Sequence, residues 1–218
     1  MSLISQKALS KIKPNMSISL GGGSNVLNLA KDLCQAHISN LTLYSSSEIT
    51  QAKCKQFGLP FSENSPHLDL AFDGCDSIDK NFNALKSGGG IHLFEKLAAE
   101  NTEEYILLLP AERFRDELSP TIPLCLEVVP ACLENVINSI PEEYDYKIRL
   151  GKAVASFARS PLGNILIDIY PHTSWNNIKK LNSFLLKQNG VVSSSYFEGI
   201  VTSIITETKN KAVEIKKG

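Results

Sequence analysis

An apolar stretch, a run of glycines and a helical pattern follow one another directly in residues 16–34. They read Met16-Ser17-Ile18-Ser19-Leu20, then Gly21-Gly22-Gly23-Ser24-Asn25, then the apolar spacing of 26–34. A strand that passes through a tight turn into a helix is the start of a crossover connection, the kind that joins parallel strands. The same alternation continues along the first half of the chain. Helices are expected at 5–12, 26–36, 49–56 and 91–100, and strands at 17–20, 41–44, 68–72 and 105–109. That order predicts a Rossmann-like α/β domain, a parallel sheet with helices on both faces.

From residue 124 the rhythm changes to strand (124–129), helix (131–139), strand near 152–158, strand (164–170) and helix (174–188). This β-α-β-β-α order predicts a smaller α+β, ferredoxin-like domain. Residues 191–197 and 212–215 are expected to return to the main sheet. The expected division is therefore 1–123 with 196–218 as the larger α/β domain and 124–195 as the small one, with a cleft between them to house a site.

Reactive residue types concentrate in residues 73–95, DGCDSIDKNFNALKSGGGIHLFE. Asp73 directly follows Leu68-Asp69-Leu70-Ala71-Phe72, the pattern of a strand buried on most of its surface. Asp73 and Asp76 therefore stand at a strand's carboxyl end, the edge at which open α/β sheets bind ligands. Lys86-Ser87-Gly88-Gly89-Gly90 comes next, ahead of a helical run that carries Glu95 and Lys96. Glycines in succession before a helix let backbone N–H groups face an anion, aided by the helix dipole. The turn at Gly21, Gly22 and Gly23 has the same disposition. It is neither a P-loop nor a dinucleotide fingerprint, because no Gly-Lys-Ser/Thr ending follows and the G-x-G-x-x-G spacing fails at Leu27. Leu43-Tyr44-Ser45-Ser46-Ser47 ends a strand in hydroxyls that suit either a phosphate or the cap of a helix starting near Glu48.

Taken in order, these segments resemble ribose-5-phosphate isomerase of the A type. The family carries a glycine–threonine–glycine–serine–threonine turn, a serine run, an Asp-Gly-Ala-Asp motif and a Lys-Gly-Gly-Gly turn ahead of a catalytic glutamate. Here they stand as Gly21 to Asn25, Ser45 to Ser47, Asp73-Gly74-Cys75-Asp76, and Lys86-Ser87-Gly88-Gly89 with Glu95 nine residues after the lysine. The likeness spans nearly the whole chain: LCLEVVP at 124–130 is similar to the family's strand entering the small domain, and NILIDI at 164–169 to its later strand.

The resemblance implies an aldose-ketose isomerase of the non-oxidative pentose phosphate pathway, interconverting ribose 5-phosphate and ribulose 5-phosphate through an enediolate. In that reading Glu95 is the base that moves a proton between adjacent carbons. Lys86 stabilises charge developing on a substrate oxygen, and Asp73 and Asp76 handle hydroxyl protons and ring opening, with their division of labour open. The pentose phosphate would be bound by Gly22, Gly23, Ser24, Asn25, Ser45, Ser46, Gly74, Cys75, Ser87, Gly88, Gly89 and Arg113. No redox change occurs, so no nicotinamide or flavin is required and no cofactor is expected. A cytoplasmic homodimer or homotetramer is implied.

The departures are specific. The family's two threonines of the first turn are Gly22 and Asn25, its alanine is Cys75, and Ser87 replaces the first glycine after the lysine. A family lysine expected after the strand at 105–109 has no counterpart, and Arg113 or Arg115 is left to supply its charge. A rebuilt phosphate turn also fits a homologue that binds a sugar phosphate as a sensor, or one acting on a different sugar phosphate. Structural readings stand beside the chemical ones: Asp76 as a turn cap, Asp79 as a solvated loop charge, Lys86 as a partner of Asp73, Glu95 and Lys96 as a solvated helix face, and His92 as packing.

Other classes receive no support from the sequence. The chain has 218 residues, 43% of them hydrophobic, and a formal net charge of −1, enough for one sizeable core or two small ones. Lys209, Lys211, Lys216 and Lys217 are interspersed with Glu207 and Glu214, a solvated strand and tail rather than a nucleic-acid surface. No segment has the length of a membrane span, and the opening MSLISQKALSKIKP lacks the apolar core of a signal peptide. Cys34, Cys54, Cys75, Cys125 and Cys132 are odd in number and contain no C-x-x-C, so reduced thiols are expected. His37, His67, His92 and His172 show no metal-ligand spacing, and no bound metal is expected.

Overall fold

The structure is a computed structural model that describes residues 1–59, 61–62, 67–152 and 155–218. Its elements in chain order begin with α1 (Leu3–Leu9), β1 (Ser17–Leu20), α2 (Ser24–Ala36), β2 (Thr42–Tyr44), α3 (Glu48–Gln56) and β3 (Leu68–Asp73). Two short strands follow, β4 (Ser77–Asp79) and β5 (Ala84–Leu85), then α4 (His92–Glu100), β6 (Thr102–Leu108) and β7 (Phe114–Arg115). The second half contains β8 (Leu124–Val128), α5 (Leu133–Ile137), β9 (Tyr144–Ile148), β10 (Ile165–Pro171) and α6 (Ile178–Leu185). The chain closes with β11 (Val191–Ser194), β12 (Tyr196–Phe197), β13 (Ser203–Thr208) and β14 (Lys211–Lys216).

Two compact units result. The first comprises Met1–Cys75, Phe94–Phe114 and Gly199–Gly218. It is built on a six-stranded sheet of order β14-β13-β6-β3-β1-β2, parallel throughout except that β14 runs antiparallel to β13. A parallel strand covered on both faces must be apolar almost continuously, and β3, Leu-Asp-Leu-Ala-Phe-Asp, is buried at every position except the partly exposed Asp69. Asp69 itself accepts the Ser17 N–H at 2.7 Å. Ile18, Leu20, Leu70, Phe72 and Ile106 pack with Ile4 and Ala8 of α1 and Val26, Leu29 and Leu33 of α2 into one core. Ser47 caps α3 by accepting the Thr50 N–H at 3.2 Å. Lys11 pins the far edge with ion pairs to Glu104 and Glu214, each at 2.9 Å.

The second unit comprises Asp76–Leu93 and Arg115–Glu198. Its main sheet is antiparallel with order β11-β8-β10-β9, and with α5 and α6 it has the βαββαβ connectivity of the ferredoxin-like arrangement. Leu124, Leu126, Val128, Ile167, Ile169, Trp175 and Leu181 form its core. The Trp175 indole donates to the carbonyls of Ser119 and Ile122 at 3.1 Å each, satisfying its polar edge inside that core. A small second sheet has the order β12-β5-β4-β7.

The parallel sheet and the ferredoxin-like arrangement agree with the sequence; three local expectations do not. The strand expected near 152–158 is absent among the described residues, which exclude Ala153 and Val154. Only isolated bridges, Leu150 with Phe157 and Arg159 with Ile165, occur there, and the strand before β10 is β9. β9 is an edge strand whose middle three residues are exposed, so it lacks the alternation that would have marked it. Residues 191–197 do not return to the main sheet: β11 pairs with β8 and β12 with β5. Residues 212–215 do return, within β14, but through β13, which was not foreseen. Apolar runs identify strands but not the partner each one takes. The helices expected at 131–139 and 174–188 are also shorter, the first preceded by a 3-10 turn at Pro130–Cys132.

Candidate active site

In the first unit the site grows from the end of β3. Asp73 is its last residue and only 3% exposed. Its Oδ1 accepts the N–H groups of Gly22 at 3.0 Å and Gly74 at 2.7 Å, and its Oδ2 accepts the Tyr105 hydroxyl at 3.1 Å. β1 lies beside β3, so Gly21 passes directly over this carboxyl, and a Cβ at Gly21 would sit 2.2 Å from Asp73 Cγ. Thr50 steadies the passage by donating its hydroxyl to Gly21 O at 2.7 Å. Glu95 lies in the first turn of α4, 5% exposed, and a Cβ at Gly22 would meet its Oε1 at 3.7 Å. The solvated-face reading of Glu95 therefore does not hold. Burial foremost, and then the charges of Asp73 and Glu95, push the Tyr105 hydroxyl well above its ordinary pKa, so it remains a proton-bearing donor.

Beside these groups the same unit contains a cavity of about 570 Å³ lined by Gly22, Gly23, Ser24, Asn25, Gly74 and Arg113, with Glu112, Glu207 and Lys209 on its wall. Gly23 takes φ +104° as the residue before α2 and makes no side-chain cap, which leaves the first N–H groups of a 13-residue helix to the cavity. The Arg113 guanidinium donates to Cys75 O at 2.6 Å. Of the two arginines left open by the sequence, Arg113 is thus the one on the cavity wall, while Arg115 lies in β7 of the other unit. Asn25 lines the cavity and donates its amide to Leu108 O at 3.3 Å. Ser45 is spent on the backbone: its hydroxyl donates to Leu20 O at 2.5 Å and accepts Ser47 N–H at 3.1 Å. Ser46 Oγ is buried without a hydrogen-bond partner among the described residues. Cys75 is 4% exposed.

In the second unit Asp76 caps the glycine turn. Its Oδ2 accepts the N–H groups of Ser87 at 2.7 Å and Gly88 at 2.8 Å, so the structural reading of this residue is met while its other oxygen lies toward Gly88. Lys86 is 5% exposed; its N–H donates to Ser195 O at 3.0 Å and its ammonium stands 5.8 Å from the centre of the Phe197 ring. The Ser87 side chain is buried against Pro123 O and Ser195 Oγ rather than presented with the turn. Gly88 and Gly89 are exposed. Arg149 donates to the carbonyls of both Ser87 and Gly88 and is paired with Asp168.

Five supporting residues escaped the sequence: Thr50, Tyr105, Arg149, Asp168 and Ser195. Tyr105 opens the apolar run Tyr-Ile-Leu-Leu-Leu and reads as core, and the other four are single polar residues whose partners lie far along the chain. His92 is fully buried. Among the described residues no group of three His, Cys, Asp or Glu side chains could hold a metal ion. What the first unit offers is a carboxylate, Glu95, in a mostly dry setting beside an anion-ready helix terminus. That combination suits moving a proton on a substrate anchored by its phosphate.

A family model described as Ribose 5-phosphate isomerase A (phosphoriboisomerase A) matches residues 42–211. The Ribose-5-phosphate isomerase A of Lacticaseibacillus paracasei is 30% identical over 216 residues, covering 93% of this chain and 90% of its own. The solved ribose 5-phosphate isomerase A of Methanocaldococcus jannaschii superposes with a TM-score of 0.90 at 24% identity, covering 99% of this chain and 97% of its own. A D-ribose-5-phosphate isomerase solved in complex with phospho-erythronic acid gives 0.91 at 22% identity, covering 98% and 96%. The two solved structures share this fold, and the family match extends over the β3 end and the turn after Lys86, beginning after the first glycine turn. The chain belongs to the ribose 5-phosphate isomerase A family.

Proposed function

We propose that the protein interconverts ribose 5-phosphate and ribulose 5-phosphate through an enediolate, with Glu95 as the base. The observation that supports this most directly is Glu95 itself, 5% exposed and adjacent to Gly22 on the cavity that receives the α2 N-terminus and Arg113. In the open-chain aldose Glu95 takes the proton from C2. The C–H pair becomes the C1–C2 double bond and the carbonyl pair moves onto O1, which Lys86 stabilises, a role worth on the order of a few kcal/mol of barrier. The O2 proton then passes to O1, the pair left on O2 forms the ketone at C2, and the double-bond pair takes the proton back from the Glu95 carboxylic acid at C1. Asp73 and Asp76 serve ring opening and the hydroxyl protons.

The phosphate is held by the backbone at Gly23 and Ser24 with Asn25, and by Arg113, which takes the place of the family lysine, while the Gly22 N–H is given to Asp73. Gly74, Cys75, Ser87, Gly88 and Gly89 border the sugar through their backbone, and Ser45 holds the strand end before the first turn through Leu20 O. The working protein is a cytoplasmic homodimer or homotetramer. The test is conversion of ribose 5-phosphate by purified protein in the presence of a chelator, beside Glu95→Gln. Turnover that the substitution abolishes supports the reading; a parent protein that binds ribose 5-phosphate without converting it would replace the isomerase with a sensor.

A further inference from the structure

Arg149 stands just past β9, where its N–H donates to Leu166 O of β10 at 2.9 Å. Its guanidinium makes a fork with Asp168, Nε to Oδ2 at 2.8 Å and Nη2 to Oδ1. The same Nη2 donates to Ser87 O at 2.8 Å, and Nη1 donates to Gly88 O at 3.4 Å. Asp76 meanwhile accepts the N–H groups of these same two residues. The peptide that joins Ser87 to Gly88 is therefore gripped at both ends, a cation at its oxygen and an anion at its N–H. In a trans peptide the C=O and N–H point to opposite sides. Directing Gly88 O to Arg149 turns the Gly89 N–H away from the guanidinium, on an exposed stretch of the turn. Gly90 closes the turn against β10, at φ +67° and with room for no Cβ, which would lie 2.5 Å from Leu166 Cδ1.

We propose that Arg149, anchored by Asp168, is a positioning residue for the reaction: it fixes the peptides of residues 87–89 and thereby the placement of Lys86, Asp76 and the Gly89 N–H. This deepens the isomerase reading and rests on it. The planar fork is what the role requires. A guanidinium satisfies a carboxylate and two carbonyls at once, whereas an ammonium carries the same charge without that geometry.

The experiment compares the parent, Arg149→Lys and Asp168→Asn by kcat and KM for ribose 5-phosphate, thermal unfolding, and amide hydrogen exchange at Ser87 and Gly88. Displacing a reacting group by about 1 Å costs about a hundredfold in rate. The expected result is a kcat lowered about tenfold to a hundredfold with KM changed less than about threefold, faster exchange confined to residues 86–90, and an unfolding midpoint within a few degrees of the parent. Arg149→Ala should regain part of its kcat with added methylguanidinium and none with methylammonium. Parental kcat in Arg149→Lys, or losses that follow the unfolding midpoint in every variant, would overturn the role. If Arg149→Lys does not fold, unchanged kcat and exchange in Asp168→Asn overturn it equally. A parent without turnover strikes the isomerase reading instead, while unchanged exchange at Ser87 and Gly88 strikes only the positioning role.

Discussion

Two adjacent glycines make opposite predictions, and together they test whether Asp73 is positioned as the site requires. A Cβ at Gly21 would lie 2.2, 2.3 and 2.4 Å from Asp73 Cγ, Oδ1 and Oδ2, whereas ordinary contact begins at 3.4 Å. The carboxyl of Gly21→Ala must therefore withdraw by about 3.4 − 2.2 = 1.2 Å. It is not a loose end that can swing clear, because it is tied to Gly22 N–H, Gly74 N–H and the Tyr105 hydroxyl. Overpacking of this kind costs about 1–3 kcal/mol, and disturbing a hydrogen bond to a charged group adds about 1.5–3 kcal/mol when it is lost. Partial relaxation leaves a net cost of about 2–4 kcal/mol, seen as a fall of about 5–15 °C in the unfolding midpoint by calorimetry. A 1 Å displacement of a reacting carboxyl lowers kcat about a hundredfold. Gly22→Ala meets Glu95 Oε1 only at 3.7 Å, an ordinary contact. It should lose less than about 1 kcal/mol of stability and less than about tenfold in kcat. A Gly21→Ala protein within threefold of the parental kcat would refute the placement of Asp73 in the reaction, and equal losses in both variants would refute the steric argument.

Tyr105→Phe removes one donor from Asp73 without changing shape, so kcat should fall about tenfold with an intact fold; unchanged kcat and unfolding midpoint would show the hydroxyl to be idle. Arg113→Met should raise KM for ribose 5-phosphate about tenfold or more while kcat falls less, with the gap from the parent narrowing in high salt, whereas Arg115→Met should leave KM alone. Burial lowers the Lys96 pKa from 10.5 to about 8, against the opposing pull of the Glu100 charge. Between those two values the unfolded chain holds the extra proton, so stability contributed by this group rises with pH across the window and is lowest below it. Lys96→Met should therefore stabilise the protein by about 2–3 kcal/mol at pH 7 and flatten the rise between pH 8 and 10.5; denaturant unfolding at several pH values reads both, and parallel curves would refute it.

In the first unit β1, β2 and β3 were legible because they are marked twice, by apolar runs and by the glycine or hydroxyl residues that follow them, whereas β13 was missed. Ser17–Leu20 was legible to the residue, and β3 differs only by including Asp73. The second unit was less legible. β9 is mostly exposed, and the residues of β11 and β12 in this unit and of β13 in the first are alike enough that their places in three different sheets depend on tertiary pairing alone. The candidate site divides in the same way. Groups read from local motifs, Asp73, Asp76, Lys86 and Glu95, all proved to be buried or engaged with their own turns. Groups that act on the motif from afar, such as Arg149 from just past β9 or Thr50 from α3, leave no local signature, because one arginine or threonine after a strand or in a helix start is ordinary on its own.

The departures from the family pattern fall where the structure absorbs them. Serine in place of glycine at position 87 adds a hydroxyl to a turn that must approach a sugar, yet that hydroxyl is turned into the second unit, onto Pro123 O and Ser195 Oγ. Ser195 is itself held there by the Cys125 N–H at 2.8 Å, and its carbonyl accepts the Lys86 N–H. Gly88 and Gly89 themselves stay exposed. At the first turn, loss of two hydroxyls leaves an uncapped helix terminus, Arg113 and Lys209 around the cavity, with Glu112 and Glu207 opposing them. Hydroxyls recognise a phosphate by short-range hydrogen bonds; charges recognise it over a Debye length, about 8 Å at physiological ionic strength. If the cavity is the phosphate site of the proposed reaction, the exchange of one for the other makes its affinity depend more steeply on salt, so KM for ribose 5-phosphate should rise with ionic strength while kcat stays level.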